Sequence, residues 1–246
     1  MKRRDGNSAG MNLLAIDTSA HLCAAAVLDT ATGKLRGKSV HDIGRGHSEK
    51  LMDVIGEALS AAGLDYSSIG RIACSTGPGS FTGVRVGLAT ARGIALGLSV
   101  PVIGIGALEA SSGQARQMLG GSDPKRSKTD ILAVIEARRG EVFAQFFSSR
   151  PSSGSRVLGG EPVVTTPVDL AAALTGKNAV LCGSGAGAVN AAAGGRMSVI
   201  HDLPAADISF YARLALDHSD DGPRPEPLYL RPADAKPQYG FAIPRI

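Results

Sequence analysis

The sequence predicts an α/β protein made from two copies of one unit, and two observations lead there. Short apolar runs of strand length alternate with stretches whose apolar residues recur at helical spacing, and the order β-β-β-α-β-α-β-α is met twice along the 246 residues. A fixed order of elements repeated at domain scale is what a duplicated unit leaves behind, even after residue identity has faded.

In the first unit, residues 13–16 and 22–28 read as strands joined by a tight polar turn, and 34–41 as a third strand. Residues 48–62 carry Leu51, Val54, Ile55, Ala58, Leu59 and Ala62 at helical spacing, and Gly63 closes the helix. Residues 69–75 follow as a short strand, 80–98 as a helix rich in small residues, 100–105 as a strand and 108–119 as a helix. In the second unit, 131–136 and 141–147 form a hairpin around 137–140, and 156–164 supply a third strand. A helix at 167–174 opens on Pro167, a favourable first-turn residue. A strand at 179–182, a weak helix at 185–193, a weak strand at 197–200 and a helix at 205–216 complete the unit. Antiparallel strands followed by strands that alternate with helices imply a mixed sheet whose parallel part is covered by helices. Two such units face to face make the ribonuclease-H-like architecture of the actin-like, sugar kinase and Hsp70 ATPase superfamily. The expected organisation is a disordered leader at 1–10, a first actin-like domain at 11–119, a second at 130–218 and a C-terminal extension at 219–246. The intervening loop 120–129, which holds Lys125, Arg126 and Lys128, is expected to be exposed and solvated.

The composition is that of an ordinary globular protein, 43% hydrophobic and 20% charged, with 32 glycines and no tryptophan. No apolar run approaches the roughly 18–20 residues that cross a bilayer. The leader has a basic start with no apolar stretch behind it, so no secretory signal is read and a cytoplasmic protein is the simplest expectation. An isoelectric point near 9.1 points towards nucleic acid, but the location of the charge weakens that reading. Lys2, Arg3, Arg4, Arg224, Arg231, Lys236 and Arg245 at the two ends, set against Asp5, Glu226 and Asp234, account for the whole net charge of +4 and leave the body balanced. Nucleic-acid footprints cluster on a face, so direct binding of nucleic acid by the chain alone is not expected. Cys23, Cys74 and Cys182 stand far apart among apolar residues and read as buried and structural.

The most distinctive segment runs Ser75-Thr76-Gly77-Pro78-Gly79-Ser80-Phe81-Thr82-Gly83-Val84-Arg85-Val86-Gly87-Leu88, leaving a strand and entering a helix. Glycines and a proline give a sharp turn, Ser80 or Thr82 can cap the helix, and amides at a helix start with Arg85 one turn on favour an anion. The segment fits neither a Walker A loop nor G-x-G-x-x-G, and a tight packing turn is an equal reading. Gly83, Gly87, Ala89, Ala91, Gly93, Ala95 and Gly97 allow close approach of a neighbouring element while lowering intrinsic helicity. Members of the actin-like superfamily that hydrolyse or transfer phosphate resemble one another in two acidic, glycine-flanked loops that hold Mg²⁺ and phosphates. Asp17-Thr18-Ser19 is similar to the first of these, and also reads as an Asx-type turn. The second such loop falls near 136–140, where Ala137-Arg138-Arg139 intervenes. His47 is followed four residues on by Leu51 and the other histidines lack ligand-spaced neighbours, so no metal site is read. Gly183-Ser184-Gly185 does not have the spacing of a nucleophile elbow.

As a string, the segment 75–88 closely resembles the signature of the TsaB family, also called YeaZ, the dimerisation partner of TsaD in bacterial threonylcarbamoyladenosine synthesis. Leu13-Leu14-Ala15-Ile16-Asp17-Thr18-Ser19 resembles the family's opening strand, and Gly46-His47-Ser48-Glu49 the start of its first helix. Residues 135–143 resemble its second hairpin, and Glu226-Pro227-Leu228-Tyr229-Leu230-Arg231 its C-terminal signature, whereas 1–10 and 150–161 match nothing in it. The resemblance implies a non-catalytic partner and activator that pairs with TsaD, helps recruit the ATPase TsaE, and meets tRNA only through the complex. It implies a partner face on the first unit's helices, with Met52, Ile55, Leu59 and Arg85 as the expected contacts and a homodimer covering that face in isolation. No tightly bound cofactor is expected. ATP or ADP at the partner interface stays open, with Asp17, Thr18, Gly77, Gly79, Ser80 and Arg85 as the residues to contact it. The alternative is an actin-like-fold ATPase or small-molecule kinase using Asp17 and the 77–83 loop.

Overall fold

The computed structural model describes residues 11–120, 129–148 and 160–230. The leader 1–10, the Lys125/Arg126/Lys128 loop, the start of the 156–164 strand and the tail from Arg231 onward lie outside the described residues.

The duplication is visible in the sheets. The first holds β1 (Asn12–Asp17), β2 (Leu22–Asp29), β3 (Leu35–Asp42), β4 (Ile69–Gly77) and β5 (Val102–Gly106) in the order β3-β2-β1-β4-β5. The second holds β6 (Asp130–Glu136), β7 (Val142–Phe147), β8 (Val163–Thr165), β9 (Ala179–Cys182) and β10 (Val199–His201) in the order β8-β7-β6-β9-β10. Each is antiparallel through its first three strands and parallel through its last two. The central strands read as unbroken apolar runs because both faces are covered, and every residue of β1 is buried.

Helix α1 (His47–Ala62) lays Leu51, Val54, Ile55, Ala58 and Leu59 onto the first sheet and ends where Gly63 takes φ 66°. Helix α2 (Phe81–Leu98) covers the same face beside it through Leu88, Ala91 and Ala95. Helix α4 (Pro167–Ala173) and helix α5 (Ala186–Ala192) hold the equivalent places on the second sheet, where Leu170 and Val189 join its core.

The inner faces are covered by exchange. Helix α3 (Ala107–Gly120) follows β5 of the first sheet but packs Leu108 and Ala115 onto Ile131, Ala133 and Cys182 of the second. Helix α6 (Ile208–Leu214) follows β10 of the second sheet but packs Ile208, Tyr211 and Ala212 against Leu13, Ala15, Ala24 and Ala26 of the first. This helix starts three residues later than the sequence pattern predicts. Asp207 caps it by accepting from the Ser209 N–H, and the residues before it form a loop along the seam. Cys23, Cys74 and Cys182 are free and buried, and burial pushes their thiols up to about 11, 12 and 11 respectively. Among the described residues no helix is long and apolar enough to cross a membrane.

Candidate functional site

The β4–α2 connection closes on the turn after β1. Asp17 Oδ1 accepts from the Ser19 N–H at 2.8 Å, which makes an Asx-type turn. Thr18 Oγ1 donates to the Gly83 carbonyl at 2.7 Å, and the Ser80 N–H donates to the Ser19 carbonyl at 2.6 Å. Ser80 also caps α2, its Oγ accepting from the Gly83 N–H. Gly79, Gly83 and Gly87, spaced one helical turn apart, form the groove that admits this turn. A Cβ on them would fall 2.3 Å from the Ser19 carbonyl oxygen, 2.0 Å from that of Thr18 and 2.5 Å from Thr18 Oγ1. Beneath lies Tyr211, fully buried, its hydroxyl among the side chains of Ser75, Ser19 and Asp17. Burial first, and then the Asp17 carboxylate, hold this phenol well above its usual range, so it stays neutral.

The structure therefore brings Asp17, Thr18, Gly77, Gly79 and Ser80 together, but as partners of one another. The Ser80 and Gly83 amides at this helix start are engaged inside the protein. Between the sheets, a cavity of about 20 Å³ lined by Ser19, Pro78, Ser111, Gly183, Pro204 and Tyr211 has room for about one water. A second, of about 230 Å³, lies beside Asp17 under the loop that precedes α6. Ligand sites for small organic molecules commonly start near 300 Å³. In the second unit the corresponding turn is a 3-10 turn, Arg138–Gly140, in which Arg139 takes φ 64° and both arginines are exposed. Among the described residues no group of three His, Cys, Asp or Glu is placed to hold a metal ion.

Arg85 does not join the turn. Its guanidinium lies over the Phe81 ring, 3.7 Å from the centroid, and its Nε donates to the Tyr229 hydroxyl at 2.7 Å. Ile55 and Leu59, expected on the partner face, are 0% and 3% exposed and belong to the core against the first sheet. They occupy the buried stripe of α1, so they are corrected from contact residues to core residues. Met52, on the outer side of α1, is 49% exposed. The outer side of α2 presents Arg85, Ala89, Gly93 and Leu96, the last 83% exposed. Sequence reasoning missed Leu96, Phe81, Tyr229 and Tyr211. The small residues on both sides of α2 blur its apolar stripe, and Tyr229 lies in a segment with no periodicity.

The tail is likewise more than a solvated end as far as it is described. The Leu228 N–H donates to the Thr76 carbonyl at 2.9 Å, Pro225 packs against Gly104, and Arg92 donates to the Pro225 carbonyl. Arg71, on β4, donates to Asp220 and to the His218 carbonyl.

Comparison with known proteins places this arrangement. Residues 40–153 match the family model described as TsaD, tRNA N6-adenosine threonylcarbamoyltransferase. The Escherichia coli tRNA threonylcarbamoyladenosine biosynthesis protein TsaB is 35% identical over 133 residues, 54% of this chain and 53% of that protein. The match thus spans about half the length of that relative. An uncharacterized protein of Mycobacterium tuberculosis is 30% identical over 225 residues, covering 92% of this chain and 94% of its own. Among solved structures, YeaZ from Pseudomonas aeruginosa superposes with a TM-score of 0.65 at 27% identity, covering 83% of this chain and 90% of that one. Another Pseudomonas aeruginosa protein, described as similar to peptidase YeaZ, reaches 0.69 at 27% identity, covering 89% and 99%. With its duplicated sheets and its Gly-Pro-Gly-Ser loop folded onto the opening strand, the chain belongs to the TsaB (YeaZ) family.

Proposed function

We propose that this chain is the non-catalytic partner subunit of the machinery that forms threonylcarbamoyladenosine on tRNA, pairing with TsaD in the cytoplasm and helping to recruit TsaE. The observation that carries the reading is the division of labour between two surfaces. The loops that face the seam between the sheets are hydrogen-bonded to each other, with Tyr211 packed beneath them. The outer side of α1 and α2 is left with exposed Met52 and Leu96 flanking small residues, and Cβ atoms added at Gly56, Gly93 and Gly97 would meet open space. Small side chains let another helix approach closely, and exposed apolar groups reward that approach. The relatives named for threonylcarbamoyladenosine biosynthesis supply the chemistry that such a partner would serve.

The test is size-exclusion chromatography with light scattering, mixing the chain with TsaD of the same organism, with and without Mg²⁺–ATP. A one-to-one complex formed by the wild type and lost in Met52→Glu/Leu96→Glu supports the reading, since both positions are exposed and the variant keeps its core. Absence of a complex in every condition overturns it, and Mg²⁺-dependent ATP turnover by the isolated chain would favour the kinase-like alternative.

A further inference from the structure

Residues 218–230 leave the end of α6 and return over β4, β5 and α2 of the first unit. The anchors are Arg71 on Asp220 and on the His218 carbonyl, Arg92 on the Pro225 carbonyl, Pro225 against Gly104, and the Leu228 N–H on the Thr76 carbonyl. They bring Tyr229 to the first turns of α2. Its ring stands 5.5 Å from that of Phe81, tilted by 40°, and the Arg85 guanidinium lies 3.7 Å from the Phe81 centroid and 5.4 Å from the Tyr229 centroid. With Nε held by the Tyr229 hydroxyl, the plane of the guanidinium is set. Its two terminal nitrogens have no hydrogen-bond or ion-pair partner among the described residues.

We infer that Arg85 recognises a carboxylate on an acidic, apolar-flanked segment of the partner protein, and that Tyr229 is the positioning residue that aims it. This rests on the proposed partnership. The charge is unbalanced, for α2 contains Arg85 and Arg92 and no acidic residue, and Arg92 is turned to the Pro225 carbonyl. A planar guanidinium fixed by stacking presents its remaining N–H groups as a fork that matches a carboxylate. The surroundings favour a protein carboxylate over a phosphate. Phe81, Leu228 and Tyr229 make an exposed apolar rim, and the neighbouring Ser80 and Gly83 amides are already engaged.

The experiment is titration calorimetry of the full chain against TsaD of the same organism, with Arg85→Ala, Arg85→Lys, Tyr229→Phe and the double variant Arg85→Ala/Tyr229→Phe, each checked for unchanged thermal unfolding. Arg85→Ala is expected to weaken binding about 30-fold, and Arg85→Lys to restore little of it, because an ammonium has no planar fork. Tyr229→Phe keeps the ring and is expected to cost about fivefold through the lost hydrogen bond. The double variant should bind no more weakly than Arg85→Ala alone, since Tyr229 acts through Arg85. The salt dependence of binding should be shallower for Arg85→Ala than for wild type. If wild type binds and Arg85→Ala stays within about twofold of it, or if the two substitutions add, the inference is overturned. Pyrophosphate or ADP binding to the isolated wild type and not to Arg85→Ala would overturn the carboxylate assignment in favour of an anion site. If wild type does not bind TsaD at all, the partnership itself fails and this assignment goes with it.

Discussion

Replacing Gly83 with alanine sets two effects of opposite sign against each other. In the first turn of α2, alanine is the better helix former by about 1 kcal/mol. Its Cβ, however, would lie 2.0 Å from the Thr18 carbonyl oxygen and 3.2 Å from Ser80 Cβ, and the first of these is backbone that cannot rotate away. Reaching van der Waals separation means moving the helix or the 17–19 turn by more than an ångström. That breaks the Thr18 Oγ1–Gly83 and Ser80–Ser19 hydrogen bonds, at about 1 kcal/mol each, and adds about 1–3 kcal/mol of overpacking. The net expectation is a loss of about 2–4 kcal/mol for Gly83→Ala. Gly93 in the same helix is exposed and a Cβ there meets nothing within 4 Å, so Gly93→Ala should gain about 0.5–1 kcal/mol. Urea unfolding of both variants, compared at equal slope, reads the difference. If Gly83→Ala matches wild type, the turn and the loop are not packed as described.

Three further outcomes follow from the same geometry. Tyr211→Phe removes a hydroxyl from among Ser75, Ser19 and Asp17 without emptying the core, and should cost about 1–3 kcal/mol of stability by denaturant unfolding. His201 is buried, its Nε2 against the Ser111 carbonyl and its Nδ1 without a partner among the described residues, and burial lowers its pKa. The unfolded chain therefore takes up this proton first as pH falls below about 6.5. Stability should decline with falling pH from there until the folded form titrates too, and His201→Gln should flatten that limb in unfolding measured between about pH 5 and 7.5. Asp220→Ala leaves Arg71, with a side chain 11% exposed, without its carboxylate. The cost should be about 1–2 kcal/mol, and hydrogen exchange at the Leu228 amide should quicken as the strip loosens.

Strand-length apolar runs and helical periodicity carried the element order of both units, because the central strands are covered on both faces and most helices bury one continuous stripe. The same periodicity in α1 that names the helix also names its buried stripe, so Ile55 and Leu59 are legible as core, and only Met52 of that trio belongs outside. The packing of Asp17-Thr18-Ser19 onto Gly79, Gly83 and Gly87 was half legible. The Asx-type turn and the close-approach glycines are local features, but that each satisfies the other depends on residues more than sixty apart in the chain. The exchange of α3 and α6 leaves no local trace, since a helix reads the same whichever sheet it covers. The strip 218–230 has prolines and no period, and what fixes it is a set of backbone and arginine contacts from β4 and α2.

That exchange of helices sets an order of events during synthesis. The face of the first sheet formed by Leu13, Ala15, Ala24 and Ala26 is finished by α6, which begins about a hundred residues after β5 ends. At 5–20 residues per second a ribosome needs about 5–20 s to cover that interval. Throughout it the nascent first unit carries an apolar sheet face with no lid of its own. A chaperone that shields such a face, or a pause that lengthens the interval, should therefore change the yield of native protein more than any substitution on the solvent side of α4 or α5.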